Sequence, residues 1–134
     1  MAMRFFRIVS CLMAGAVVLT GCSVTARVNK EYAAVDRADG VTEKEALIIA
    51  RHALLNSECR QRFHINKASV LSDRLVEPYP DYFFVSFYPV AYDDHFKRYL
   101  VVIDKKTGKV AREEQYRPLK NFNYQWVFNG GKPR

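Results

Sequence analysis

The sequence predicts an α+β domain, with one N-terminal helix packed on an antiparallel sheet of four to five strands. Three observations predict it. Thr42 and Glu45 have the spacing of a capping box, and apolar residues at helical spacing follow them. From Ala68 onward the texture changes to aromatic and β-branched runs interrupted by prolines. Between two of those runs, Asp104–Lys109 carries the chemistry of a hairpin connection, with Gly108 free to take positive φ. A helix followed by consecutive strands suits a helix layer on a sheet layer.

Arg4 and Arg7 precede an apolar run from Ile8 to Leu19, and no acidic residue occurs before Glu31. That run has 12 residues, whereas a membrane-crossing helix needs roughly 20. A basic start, a short apolar stretch and small residues before a cut are the parts of a secretory signal. The run closes on Leu19-Thr20-Gly21-Cys22, which resembles the lipobox of bacterial lipoproteins. The resemblance implies that residues 1–21 are a signal peptide and that Cys22 is acylated and becomes the anchored N-terminus. It also implies sorting by the next residue, where an aspartate commonly retains such proteins in the inner membrane. Ser23 stands there, which favours the periplasmic face of the outer membrane.

Of the 21 Lys and Arg in the 134-residue chain, Arg4 and Arg7 lie in the signal, leaving 19 against 14 Asp and Glu, a balance of +5. That balance favours acidic surfaces, lipid phosphates among them. Nucleic acid is not expected as a partner of an exported, tethered protein. Cys11 falls in the signal and Cys22 is the lipid site, so Cys59 is left without an intramolecular disulfide partner and is expected to be buried.

Residues 22–40 read as the lipidated cysteine and a tether, polar and charged, with a short helix admitted at Tyr32–Arg37. A flexible stretch of this length spans roughly 20–25 Å. The domain is assigned to residues 41–128. Its helix starts at Thr42, buries Ala46, Ile49, Ala50, Ala53 and Leu54, and ends near Asn56. Ala68–Val76 is the first candidate strand, before Pro78 and Pro80. In the second, Asp81–Val90, Phe83, Val85 and Phe87 share one face, while Tyr82, Phe84, Ser86 and Tyr88 share the other. Phe96–Asp104 and Val110–Tyr116 form the hairpin, with Glu113 and Glu114 expected opposite Lys97 and Arg98.

The chain then alternates aromatics: Phe122, Tyr124, Trp126 and Phe128 fall on one face of an extended segment. They suit either a fifth strand closing the core or a partner-binding edge. Residues 129–134 are a basic tail. Tyr82, Phe84, Tyr88, Phe122, Tyr124, Trp126 and Phe128 are therefore the candidate partner-binding residues.

Thr42–Ala50 and Tyr99–Val110 together resemble PepSY domains, which join a T-x-x-E-A helix start to a strand, a D-x-x-T-G-x-V turn and another strand. The arrangement is also similar to cystatin-like folds and to NTF2-like immunity proteins. What this implies concerns fold and says little about activity.

Beyond Cys22 the glycines are Gly40, Gly108, Gly130 and Gly131, which exclude a Gly-x-Gly-x-x-Gly fingerprint and a P-loop. No Gly-x-Ser-x-Gly elbow occurs. His52 and His64 are isolated, and nothing selects either as a base for Cys59. Asp93, Asp94 and His95 are the one cluster able to hold a divalent ion or move a proton, and a polar loop accounts for all three. No catalytic residue, metal or cofactor is assigned. The expected function is a membrane-anchored, non-enzymatic protein-binding module, such as an immunity protein against a secreted toxin of the type VI phospholipase kind. An envelope assembly lipoprotein and a PepSY-like protease regulator are the alternatives.

Overall fold

A computed structural model of the chain describes residues 23–72, 79–91 and 97–117. It contains two helices, α1 over residues 23–33 and α2 at Glu43–Leu55, then a 3-10 turn at Arg60–Arg62. The strands are β1 (Phe63–Val70), β2 (Tyr82–Pro89), β3 (Arg98–Asp104) and β4 (Val110–Tyr116). They form one four-stranded antiparallel sheet in the order β1-β2-β3-β4. The class is α+β, as the sequence predicts, with a second helix that the sequence reading did not assign.

α2 begins where its cap chemistry places it. The Thr42 hydroxyl accepts from Glu45 N–H at 3.3 Å, and the Glu45 carboxylate accepts from Thr42 N–H at 2.7 Å. Two backbone donors at the open end of the helix are thereby satisfied. At the other end Asn56 N–H and its side-chain amide both donate to His52 carbonyl. Ala46, Ile49, Ala50 and Leu54 are fully buried against Val85, Phe87, Val101 and Ile103 of the sheet.

The two faces of β2 divide as the alternation requires. Val85 and Phe87, with Phe83 partly buried, join the core under α2. Phe84 joins Leu100, Val102 and Tyr116 in a second cluster on the opposite face, against which Leu71, Tyr79 and Tyr82 pack. Ser86 lies in this second layer and shares a 2.9 Å hydrogen bond with Tyr116 Oη, so its hydroxyl is not left dry and unpaired.

Three expectations are corrected. Residues 23–33 are helical rather than a tether, and most of Tyr32–Arg37 lies beyond that helix. Val28 is 1% exposed, and Tyr32 and Val35 pack against the α2 core. β1 runs from Phe63 to Val70, several residues ahead of the expected Ala68–Val76. Phe63 and Ile65 supply the missing apolar positions in the α2 core, the former buried there and the latter packed against it. β1 also carries an irregularity, since the five steps from Phe63 to Ala68 face only two steps of β2. Finally, Glu113 and Glu114 stand opposite Val101 and Leu100, and Arg98 is opposite Tyr116. The hairpin closes on Ile103 and Val110, and an irregularity between Val102 and Ile103, where Arg112 faces Val102, sets the register that brings Tyr116 opposite Arg98. Glu114 instead accepts from Arg112 Nε at 3.3 Å along its own strand.

One junction joins the start of α2 to the β3–β4 hairpin. Val41 N–H donates to Lys105 carbonyl at 2.8 Å, and Asp104 accepts from the backbone N–H groups of Lys106 and Thr107. Those bonds, led by the one from Thr107, hold the Asp104 carboxyl below its ordinary pKa. Gly40 has φ 86°, and a Cβ there would lie 2.8 Å from the Lys105 carbonyl oxygen. Gly40→Ala therefore meets both a left-handed backbone and a backbone clash. It is expected to lower stability by about 2 kcal/mol or more in denaturant melts. An unchanged midpoint would show that the junction yields.

Candidate functional site

A cleft of 380 Å³ lies between the end of α1, the second half of α2 and β4, lined in part by Tyr32, His52, Asn56, Ser57, Val110 and Glu113. α2 presents Ile49, His52, Ala53 and Asn56 to it, the i, i+3, i+4, i+7 positions of one helix face. Tyr32 arrives from α1 and stacks flat on the His52 ring, with centroids 3.6 Å apart and an interplanar angle of 5°. Arg37 places its guanidinium 4.8 Å from the Tyr32 ring centroid. Asn56 Nδ2 lies 3.3 Å from His52 Nε2.

These contacts set the charge of His52. Burial is the larger cause and nearby Arg37 the second, and both hold its pKa below the usual 6.5. His52 is a neutral stacking partner at neutral pH. Behind it Tyr99 donates to Glu113 Oε1 at 2.9 Å. Burial first, and then that carboxylate, push the Tyr99 phenol well above its ordinary pKa, so it remains a donor. Cys59 is half-buried rather than buried, and its sulfur accepts from Gln115 Nε2 at 2.9 Å. An amide supplies no base to a thiol, so this contact does not build a nucleophile.

A second concavity, 480 Å³, sits at the end of the sheet where the 3-10 turn, the end of β2 and the start of β3 meet. It is lined in part by Arg62, Phe63, Pro89, Val90, Lys97 and Gln115. Val90 N–H donates to Arg62 carbonyl at 2.8 Å, which fixes the turn beside β2. Val90 and Tyr88 are 52% and 43% exposed, and Arg98 stacks 4.4 Å from the Tyr88 ring centroid. An exposed aromatic, an exposed aliphatic and several cations therefore share this end.

The candidate partner-binding residues separate accordingly. Phe84 is 1% exposed and belongs to the second core, so it leaves the surface set. Tyr82 is half-buried at the rim of that core, and Tyr88 alone of the three is well exposed. Phe122, Tyr124, Trp126 and Phe128 lie outside the described residues, as do Cys22 and the Asp93-Asp94-His95 cluster. Ser23, expected from the lipobox resemblance to be the sorting position, is the first described residue and is exposed in α1. Among the described residues no group of three or more His, Cys, Asp or Glu is placed to hold a metal ion, and no helix is long and apolar enough to cross a membrane.

The Tyr32–His52 stack escaped the sequence reading, although a signal for α1 is there. Val24, Val28 and Tyr32 recur every four residues, the spacing of one helix face, within an otherwise polar stretch. Comparison with protein-family models, with curated proteins and with solved structures finds no match to this chain.

Two outcomes are expected. Phe84→Ala should cost about 3–5 kcal/mol, as cavities left by buried phenylalanines do, while Tyr88→Ala should stay within about 1 kcal/mol; urea melts of the pair check the assignment. His52 binds protons less readily folded than unfolded, so its stabilising contribution is full above pH 6.5 and is lost as pH falls below that. The drop in melting temperature between pH 7.5 and pH 5.5, roughly one unit to either side of the usual histidine value, should be smaller in His52→Phe, which keeps the stack. An equal drop in both proteins would remove His52 from the effect.

Proposed function

We propose that this protein is a lipid-anchored, protein-binding module of the bacterial envelope, held at the periplasmic face of the outer membrane through acylated Cys22. The observation that carries the reading is Leu19-Thr20-Gly21-Cys22 at the end of a 12-residue apolar run behind Arg4 and Arg7. The run is too short for a spanning helix, which needs roughly 20 apolar residues, and suits a cleaved signal. Ser23 in place of an aspartate supports the outer membrane as destination. The helix, capped by Thr42, and the antiparallel meander that follows it are consistent with a cystatin-like or PepSY-like arrangement.

Within this class the reading is an immunity protein that neutralises a secreted toxin, such as a phospholipase effector. Its support is membrane placement together with the exposed, charged surface of strand β4, which carries Arg112, Glu113 and Glu114. The polar groups of the cleft bond to neighbours, His52 with Asn56 and Glu113 with Tyr99, which suits a rigid scaffold more than a proton-transfer site.

Mass spectrometry of the membrane-extracted protein should find residues 1–21 removed and Cys22 acylated, and Cys22→Ala should leave the membrane fraction. Ser23→Asp should move the protein to the inner membrane. Recovery of an unprocessed, unacylated chain would overturn the anchoring. For the binding role, co-expression with the product of the neighbouring gene is the test. Protection of the host from a toxin encoded there supports immunity, and housekeeping neighbours across related genomes would sink it.

A further inference from the structure

We propose that the end of the domain formed by the 3-10 turn, the close of β2 and the opening of β3 lies against anionic lipid headgroups, so that the anchored domain has one fixed orientation. This rests on the acylation of Cys22. Three independent observations converge on that end.

The first is the chain path. Cys22 is one residue from Ser23, a step of about 3.8 Å, and residues 23–33 are already helical. Thr25 accepts from Arg60 Nη2 at 3.2 Å, and Arg27 donates to Asn66 Oδ1 at 3.2 Å. With Val28 buried and Tyr32 stacked on His52, α1 is docked along its length. It starts beside the 3-10 turn, and the segment after it reaches the opposite end, where Arg37 approaches Gly108 in the hairpin. The acyl chains are thus attached next to a defined face of a rigid body, without a slack linker to average its direction.

The second is charge. Arg27, Arg60 and Arg62 are exposed at this end, and Lys97 lines the groove beside Arg62. Basic residues close to an anionic bilayer each strengthen attachment by about fivefold. The third is exposed apolar surface. Val90 and Tyr88 stand at the same end, bonded through Val90 N–H to Arg62 and stacked through Tyr88 on Arg98. An amphipathic aromatic, an aliphatic and cations together match the headgroup region of a membrane.

The geometry also fixes what is presented outward. Strands of seven or eight residues span roughly 25 Å. The β3–β4 hairpin and the Gly40 junction therefore stand about that far from the bilayer surface, and an arriving protein meets them first.

The experiment uses the full chain, processed in cells and reconstituted into vesicles. Acylation consumes Cys22, and Cys59→Ser, which keeps an acceptor for Gln115, removes the other thiol of the processed chain. Bimane is attached at Gln61→Cys or Lys106→Cys, both exposed sites, and quenching by lipids with a nitroxide headgroup is read. Position 61 should be quenched severalfold more strongly than position 106, and more on vesicles containing phosphatidylglycerol than on phosphatidylcholine alone. Equal quenching, or stronger quenching at 106, in protein whose mass shows the acyl chains would overturn the orientation and leave the anchor intact. Protein lacking acyl mass would overturn the anchor itself, and the orientation with it.

Discussion

The close approach of α2 to the sheet is the constraint on which the rest depends. Ala46 and Ala50 are fully buried on its sheet-facing side, alongside the larger Ile49 and Leu54. A single methyl at two successive turns lets the helix settle onto Val85, Val101 and Ile103 with little standoff. That seating decides where His52 and Asn56 emerge, and hence where a cleft forms at β4. It also leaves the outer side of α2 for a second helix, whose Tyr32 lies flat on His52. A larger residue at either alanine would lift α2, and both the cleft and the seat of α1 would move with it.

Much of this was legible because the relevant interactions are local. The Thr42–Glu45 box, the stripe from Ala46 to Leu54 and the hairpin around Gly108 each lie within a few residues of sequence, and all three are present. Alternation likewise assigned Phe83, Val85 and Phe87 to one face of β2. What escaped depends on pairing between distant segments. β1 begins at Phe63 because the α2 core needs an aromatic there, a demand that residues 63–67 do not announce. The charges on β4 missed their expected partners because register is counted from the hairpin closure, and a shift of one or two residues reassigns every pair. α1 was hidden by composition: its polar residues outnumber the apolar ones, and only their spacing betrays a buried side.

The candidate site was less legible than the fold for a physical reason. A surface that recognises a membrane or another protein needs no fixed spacing of reactive groups, unlike a phosphate loop or a metal site. Arg60, Arg62, Tyr88, Val90 and Arg98 come from three separate elements and gather only through folding. Their meaning comes from where the chain enters the domain, because α1 ends the freedom of the polypeptide within a residue of Cys22.

Among the described residues the sheet has two edges, and each is ill suited to pairing with a copy of itself. β4 carries Arg112, Glu113 and Glu114 in succession, and β1 departs from regular register between Phe63 and Ala68. In dilute solution such blunting matters little for a small domain. Molecules confined to a leaflet with a shared orientation are different, because diffusion in two dimensions brings the same edges to the same height again and again. Lateral crowding then tests every edge at high effective concentration. Irregular register and a run of charged side chains are the features that keep strands from zipping together under those conditions.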